Sequence, residues 1–183
     1  MSKMDLVLAE ENGVGRDTIR EFARRLAGLL ATNRRIYICG NGGSASAAGH
    51  FASDLSKLGF DAVSLTDNFS RVTAIVNDEG FDRLYTSQMG RFGKGDALVL
   101  FTVHGCEATK TTGGSANLYE AAKLCRERKG DLYVFSGNDG GHLAKNFKGQ
   151  YLTVKSGDCD VVEGIHVVLA HLVLSEIKEM MAK

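Results

Sequence analysis

The stretch Ile36–Leu55, IYICGNGGSASAAGHFASDL, changes character twice within twenty residues. Ile36, Tyr37, Ile38 and Cys39 form a short apolar run suited to a strand, and Gly40-Asn41-Gly42-Gly43-Ser44 breaks it. Small residues with good helix propensity follow, then His50 and Asp54 four residues apart. A strand that opens into a glycine-rich turn and restarts as a helix leaves free backbone N–H groups aimed at one spot. The positive end of the helix dipole lies there too, so the spot is an anion site. At i and i+4, His50 and Asp54 share one helix face beside it, close enough to hold one metal ion or one substrate.

Outward from this segment, apolar runs and helical periods alternate. Asp17–Thr32 carries Ile19, Phe22, Ala23, Leu26, Leu29 and Leu30 at a helical period. Strands are expected at Arg35–Cys39, Phe60–Leu65, Ala97–Val103, Asp131–Phe135 and Gln150–Val154, and ALVLFTV is apolar enough to be covered on both faces. Helices are expected over Ser44–Lys57, from Asn68 with Asp67 as its cap, through Phe81, Leu84, Tyr85 and Met89, and over Ser115–Arg128, His142–Phe147 and Asp160–Met181. The pattern predicts an α/β fold, an open parallel sheet with helices on both faces, whose ligands lie at the carboxyl ends of the strands. Three predicted strand ends open into polar glycine loops, CGNGGS, TVHGCEATKTTGGS and SGNDGG.

The whole chain of 183 residues reads as one domain, with residues 1–33 a helical lead-in and 160–181 a closing helix. Its 22 basic and 22 acidic residues are intermixed, which argues against nucleic acid or an anionic membrane as partner. No apolar run spans a membrane and MSKMDLVLAEE is no signal peptide, so a cytoplasmic location is expected. Cys39, Cys106, Cys125 and Cys159 form no CxxC pair and read as reduced thiols, with no neighbour in sequence that predicts a lowered pKa. Proline is absent, and 22 glycines make the turns.

Two sets of residues can carry chemistry. Asn41, Gly42, Gly43 and Ser44 at the new helix start, with Thr102, His104 and Ser115 at the exit of the third strand, are placed to surround a phosphate; simple tight turns are the alternative. GNGGSA lacks the G-x-G-x-x-G spacing of a dinucleotide fingerprint, and no Walker lysine is present, which weakens a nucleotide-binding reading. The second set is His50 and Asp54 with Glu163 and His171 of the last helix; a structural His–Asp ion pair is the alternative for the first two. Glu163 and His171 lie about 12 Å apart along a helix axis. They meet only by reaching towards each other, or they serve two sites. His142 and His166 read as ordinary core or surface residues.

CGNGGSASAAGHFASDL resembles the signature of the sugar isomerase (SIS) family, in its phosphoheptose isomerase branch. The resemblance continues through LTDNFSRVTAIVNDEGFDRLYTSQM, GDALVLFTVHG, GSANLYEAAKLCRERKG, SGNDGGHLAK and VVEGIHVVLAHLV, over roughly residues 20–180. It implies a three-layer, flavodoxin-like fold with a five-stranded parallel sheet, and a homotetramer with active sites shared between subunits. The implied activity is metal-dependent interconversion of a phosphorylated ketose and aldose, sedoheptulose 7-phosphate in the branch, for surface polysaccharide. The implied metal is divalent, zinc by custom. By motif, His50, Asp54, Glu163 and His171 fall on metal ligands, and Asp54 and His171 on the acid and base. Ser44, Thr102 and Ser115 fall on phosphate contacts, and Asn41, Asp67 and Asp78 on sugar contacts.

This chain departs from the branch in three places. Asp54 stands for a glutamate and is shorter by about 1 Å, a misplacement that can cost about a hundredfold in rate. Glu163 stands for a neutral glutamine. STSGNS becomes Thr102-Val103-His104-Gly105 with an insertion ahead of Ser115, trading hydroxyls for an imidazole able to donate to an anion. The donors suit zinc, and also manganese, iron or nickel. Apolar residues Leu6, Leu8, Val167 and Leu174 look exposed and in need of an oligomer's cover. The rival to an isomerase is a sugar-phosphate-binding SIS module that acts through a protein partner.

Overall fold

The computed structural model describes residues 9–32, 34–106 and 114–182. In chain order the elements are α1 (Arg16–Ala27), β1 (Ile36–Gly40), α2 (Gly43–Lys57), β2 (Ala62–Ser64), α3 (Phe69–Asp78), β3 (Ala97–Thr102), α4 (Ala116–Glu127), β4 (Asp131–Gly137), α5 (Gly141–Asn146), β5 (Gln150–Val154) and α6 (Cys159–Met181). All strands pair in parallel in the order β2-β1-β3-β4-β5, the flavodoxin-like order, which reverses direction between β1 and β3. The expected five-stranded α/β sheet is therefore present.

The strands are apolar throughout because each face of the sheet has its own core. Ile36, Ile38, Ala97, Val99, Phe101, Tyr133 and Phe135 point into one cluster with α1, α2 and α6. Their chain neighbours Tyr37, Cys39, Leu98, Leu100, Leu132 and Val134 point into the other, with α4 and the segment 84–92. A period of two thus survives inside runs that show no polar alternation. At the middle of the first cluster, Phe101 and Phe135 stack at 4.2 Å between centroids, and Phe51 of α2 meets both edge-on. This packing fixes α2 against the carboxyl ends of β3 and β4.

Several local expectations are corrected. The N-cap of α3 is Asn68, whose side chain accepts from Arg71 N, not Asp67. The segment after Gly80 forms two 3-10 turns, Phe81–Arg83 and Thr86–Gln88, in place of the expected helix, and from it Tyr85 and Gln88 reach Gly40 O and Leu65 O. The first helix stops at Ala27, and Gly28 caps it before a 3-10 turn at Leu30–Thr32. Leu174 is buried and Val167 packs against the first core, so the chain itself covers both. Leu6, Leu8 and the inserted residues 107–113 lie outside the described residues.

Candidate active site

Two groups of polar side chains gather at the carboxyl ends of the strands and along α2. The first surrounds a cavity of roughly 270 Å³, lined by Asn41, Ser44, Thr102, His104, Ser115, Cys159 and Glu163 among others. Gly42 caps α2 with φ 58°, a left-handed conformation that costs glycine little and lets the strand turn directly into the helix. Ser44 N, one of the free amides at that helix end, donates to Glu163 Oε1 at 3.1 Å. The Glu163 carboxylate thus already sits where the helix dipole draws an anion. The opposite wall comes from β3 and the start of α4, where Ser115 holds φ 61° as N-cap. Thr102 and Ser44 are nearly buried, at 4% and 3% exposure, and both line the cavity.

Asn41 is held by a network the sequence does not announce. Its side-chain amide pairs reciprocally with that of the fully buried Asn117, both bonds 2.9 Å. The Tyr85 hydroxyl donates to Gly40 O at 2.5 Å and lies 3.0 Å from Asn41 Oδ1. Burial pushes the Tyr85 phenol far above its ordinary range, so it remains a donor. The sugar-contact candidates Asp67 and Asp78 do not join this cavity. Asp67 lines a separate cavity beside β2 with Arg71, and Asp78 accepts from Asn77 at the end of α3.

The second group is His50, Asp54 and His171, each offering one ligand atom within 4.8 Å of the others. His50 Nε2 lies 3.0 Å from His171 Nε2 and 3.2 Å from Asp54 Oδ2. Lys57 Nζ donates to the other oxygen, Asp54 Oδ1, at 2.8 Å. That hydrogen bond holds the Asp54 carboxyl below its usual pKa against the opposing effect of burial, and the charges of Lys57 and the histidines add to it. The predicted i, i+4 pair is therefore real, and α6 brings His171 to it from 121 residues away. Glu163 does not enter this group: α6 carries it to the anion cavity instead. The described residues separate the four proposed ligands into three and one.

Two imidazoles and a carboxylate converging on one point are a nitrogen–oxygen donor set for a borderline divalent ion, so these residues fit the expected metal. They lie at the surface, with the His50 side chain 52% exposed, so a ligand can reach them. Ser44 and His50 are six residues apart on α2, which is about 9 Å along the axis and about 120° around it. Within one chain the anion cavity and the histidine cluster therefore open on different sides of the same helix.

A parallel β2-β1-β3-β4-β5 sheet with an anion cavity at the strand ends, and a histidine–carboxylate cluster between α2 and α6, defines a flavodoxin-like α/β domain with a ligand site at the carboxyl edge of its sheet. The SIS domain family model matches residues 7–137, and the chain belongs to that family. Its curated relatives include the phosphoheptose isomerase of Geobacter sulfurreducens, 36% identical over 162 residues that cover 85% of this chain and 81% of that one. The phosphoheptose isomerase of Halorhodospira halophila is 31% identical and matched over 91% and 86% of the two chains. Among solved structures, phosphoheptose isomerase from Neisseria gonorrhoeae superposes with a TM-score of 0.81 at 32% identity, covering 90% of this chain and 86% of that chain. A phosphoheptose isomerase from Francisella tularensis, at 22% identity and a TM-score of 0.83, shares the fold.

Proposed function

We propose that this chain is a phosphosugar isomerase of the phosphoheptose type, interconverting sedoheptulose 7-phosphate and its aldose. The observation that carries the reading is the convergence of His50, Asp54 and His171 in a chain about a third identical to enzymes of that name. His50, Asp54 and His171 would hold a divalent ion, zinc first. When bound, such an ion polarises the carbonyl and neighbouring hydroxyl of an α-hydroxy carbonyl compound.

The remaining work belongs to the chain's own groups. Isomerisation removes a proton from the carbon beside the carbonyl and returns one to the former carbonyl carbon. We assign that proton transfer to the Asp54 and His171 side chains, each acting through an atom that the ion leaves free. Lys57 keeps Asp54 ionised, ready to accept. The hydroxyls of Ser44, Thr102 and Ser115, with the α2 amides, bind the phosphate and turn its affinity into orientation of the distant reacting carbons. Entry of a phosphate at Ser44 N displaces the Glu163 carboxylate, one anion for another at the same helix end.

The angular gap between cavity and histidine cluster supports a homo-oligomer in which a second copy completes each site, in line with the expected shared-site tetramer. The test compares wild type with His171→Ala for turnover of sedoheptulose 7-phosphate and for its binding. Binding kept and turnover lost in the variant supports the reading. Full turnover in the variant removes His171 from the mechanism, and binding without turnover in wild type points to the binding-module alternative.

A further inference from the structure

A second cavity lies at the β2 edge of the sheet, on the face turned away from α2, and the proposed reaction makes no use of it. It measures roughly 510 Å³, nearly twice the anion cavity and within the range of small-molecule sites. Tyr37 of β1, with Val63 and Leu65 in and just beyond β2, supplies an apolar floor. Three arginines from separate places line it: Arg35 ahead of β1, Arg71 in α3 and Arg91 in the segment 84–92. Arg35 is committed, its Nε 2.8 Å from Asp61 Oδ2. Among the described residues, the Arg71 and Arg91 guanidinium groups have no ion-pair or hydrogen-bond partner. Asp67, the one acidic residue in the lining, precedes the α3 cap and makes no ion pair with Arg71.

Arg71 stands in the first turn of α3, a turn that holds no acidic residue. The positive end of a helix disfavours a cation, and here no carboxylate in the turn offsets the cost. Asn68 Oδ1 accepts from Arg71 N, while the amides ahead of it have no partner within the helix. Guanidinium group and helix end therefore both favour a negative group at this rim. Arg91 adds a second planar fork of donors, the geometry that matches the paired oxygens of a phosphoryl group. Gln88 keeps that segment beside the floor, its Nε2 donating to Leu65 O at 2.8 Å and to Leu84 O at 2.9 Å. With Arg35 and Asp61 cancelling, Arg71 and Arg91 against Asp67 leave an excess positive charge before the helix end is counted.

We propose that this cavity is a second, non-catalytic binding site for a small phosphate monoester. Arg71, Arg91 and the first-turn amides of α3 hold the phosphoryl group, and the apolar face of the ligand's body rests on Tyr37, Val63 and Leu65. A phosphoryl group alone leaves most of the volume unfilled, so the body belongs to the recognised unit. The site is distinct from the anion cavity, whose described lining contains no arginine. Binding here involves no bond making, and no step of the isomerisation passes through these residues. The proposal therefore stands or falls independently of the isomerase reading.

The test modifies arginines of the purified full chain with phenylglyoxal at constant ionic strength, read residue by residue by peptide mass spectrometry. The probes are phenyl phosphate and inorganic phosphate, each up to about 10 mM. At ten times its Kd, phenyl phosphate is expected to slow modification of Arg71 and Arg91 about tenfold, with Arg20 of α1 unaffected. Inorganic phosphate, with no body to bury on the floor, should need about tenfold more for the same protection. Arg71→Gln should weaken the protection of Arg91 by about tenfold in probe concentration, and Ser44→Ala should leave it unchanged. Unchanged rates at Arg71 and Arg91 in wild type overturn the proposal without recourse to any variant. Equal slowing at Arg20 does so too, as a general ionic effect, and so does protection that vanishes in Ser44→Ala, which places the probe in the first cavity. Arginines already unreactive without a probe give this face to a second copy of the chain and overturn the open site. Equal protection by the two probes overturns the role of the floor.

Discussion

Replacing Gly43 by alanine should destabilise the protein, although alanine is the better helix former. Gly43 is the first residue of α2, and a Cβ built there would lie 2.0 Å from Glu163 Oε2 and 2.5 Å from its Cδ. Its three nearest neighbours are all atoms of that carboxylate, the far end of a flexible side chain. The backbone can therefore stay, but Glu163 has to leave and Ser44 N loses its acceptor. Alanine for glycine gains about 0.5–1 kcal/mol in a helix. A hydrogen bond to a charged group is worth about 1.5–3 kcal/mol. The second effect wins, for a net loss of about 1–2 kcal/mol and a Tm lower by about 2–8 °C at this chain length. In a Glu163→Ala background nothing remains to be displaced, and the same substitution should raise the Tm. Thermal unfolding of the four proteins by circular dichroism completes the cycle. A shift of the same sign and size in both backgrounds would refute the placement of Glu163 at the helix end, and with it the separation of Glu163 from the histidine cluster.

Three further outcomes are expected. His166 is fully buried against Phe101 and Phe135, and neither ring nitrogen makes a hydrogen bond. Burial pulls its pKa down to about 4, with the Ser136 backbone acting in the opposite direction. Between that value and the ordinary 6.5 the unfolded chain binds a proton that the folded one refuses, so stability should fall with acidification by about 3 kcal/mol. Urea unfolding over that range should show this slope in wild type and its loss in His166→Leu; parallel curves contradict the assignment. Tyr85→Phe should cost about 1–3 kcal/mol by leaving Gly40 O without its donor, and should weaken phosphosugar binding by loosening Asn41; unfolding and calorimetric binding measure both. Finally, Ser44→Ala and His171→Ala proteins, each inactive alone, should regain turnover when unfolded together and reassembled, if sites are shared between copies. No recovery argues for sites complete within one chain.

What the sequence shows follows from where the deciding information lies. The strands were legible because both sheet faces are buried, which leaves unbroken apolar runs, and Gln150–Val154 matches the observed β5. The His50–Asp54 pair was legible because i, i+4 spacing is a local geometric fact. The partner each residue finds across the sheet was not. His171 joining that pair and Glu163 reaching Ser44 depend on how α6 crosses α2 and β3. The Tyr85–Asn41–Asn117 network is likewise tertiary. Asn68 outcompeted Asp67 as cap because the chain turns helical one residue later than the pattern suggests. His166, read as an ordinary histidine, is instead an imidazole buried with no partner.

The most direct measurement follows sedoheptulose 7-phosphate with the wild-type protein and added zinc in deuterated water by proton NMR. The account predicts a new aldose anomeric signal and deuterium at the carbon beside the carbonyl, both absent with His171→Ala. A wild-type protein that binds the sugar phosphate yet yields neither signal contradicts the claim that Asp54 and His171 move a proton between its neighbouring carbons.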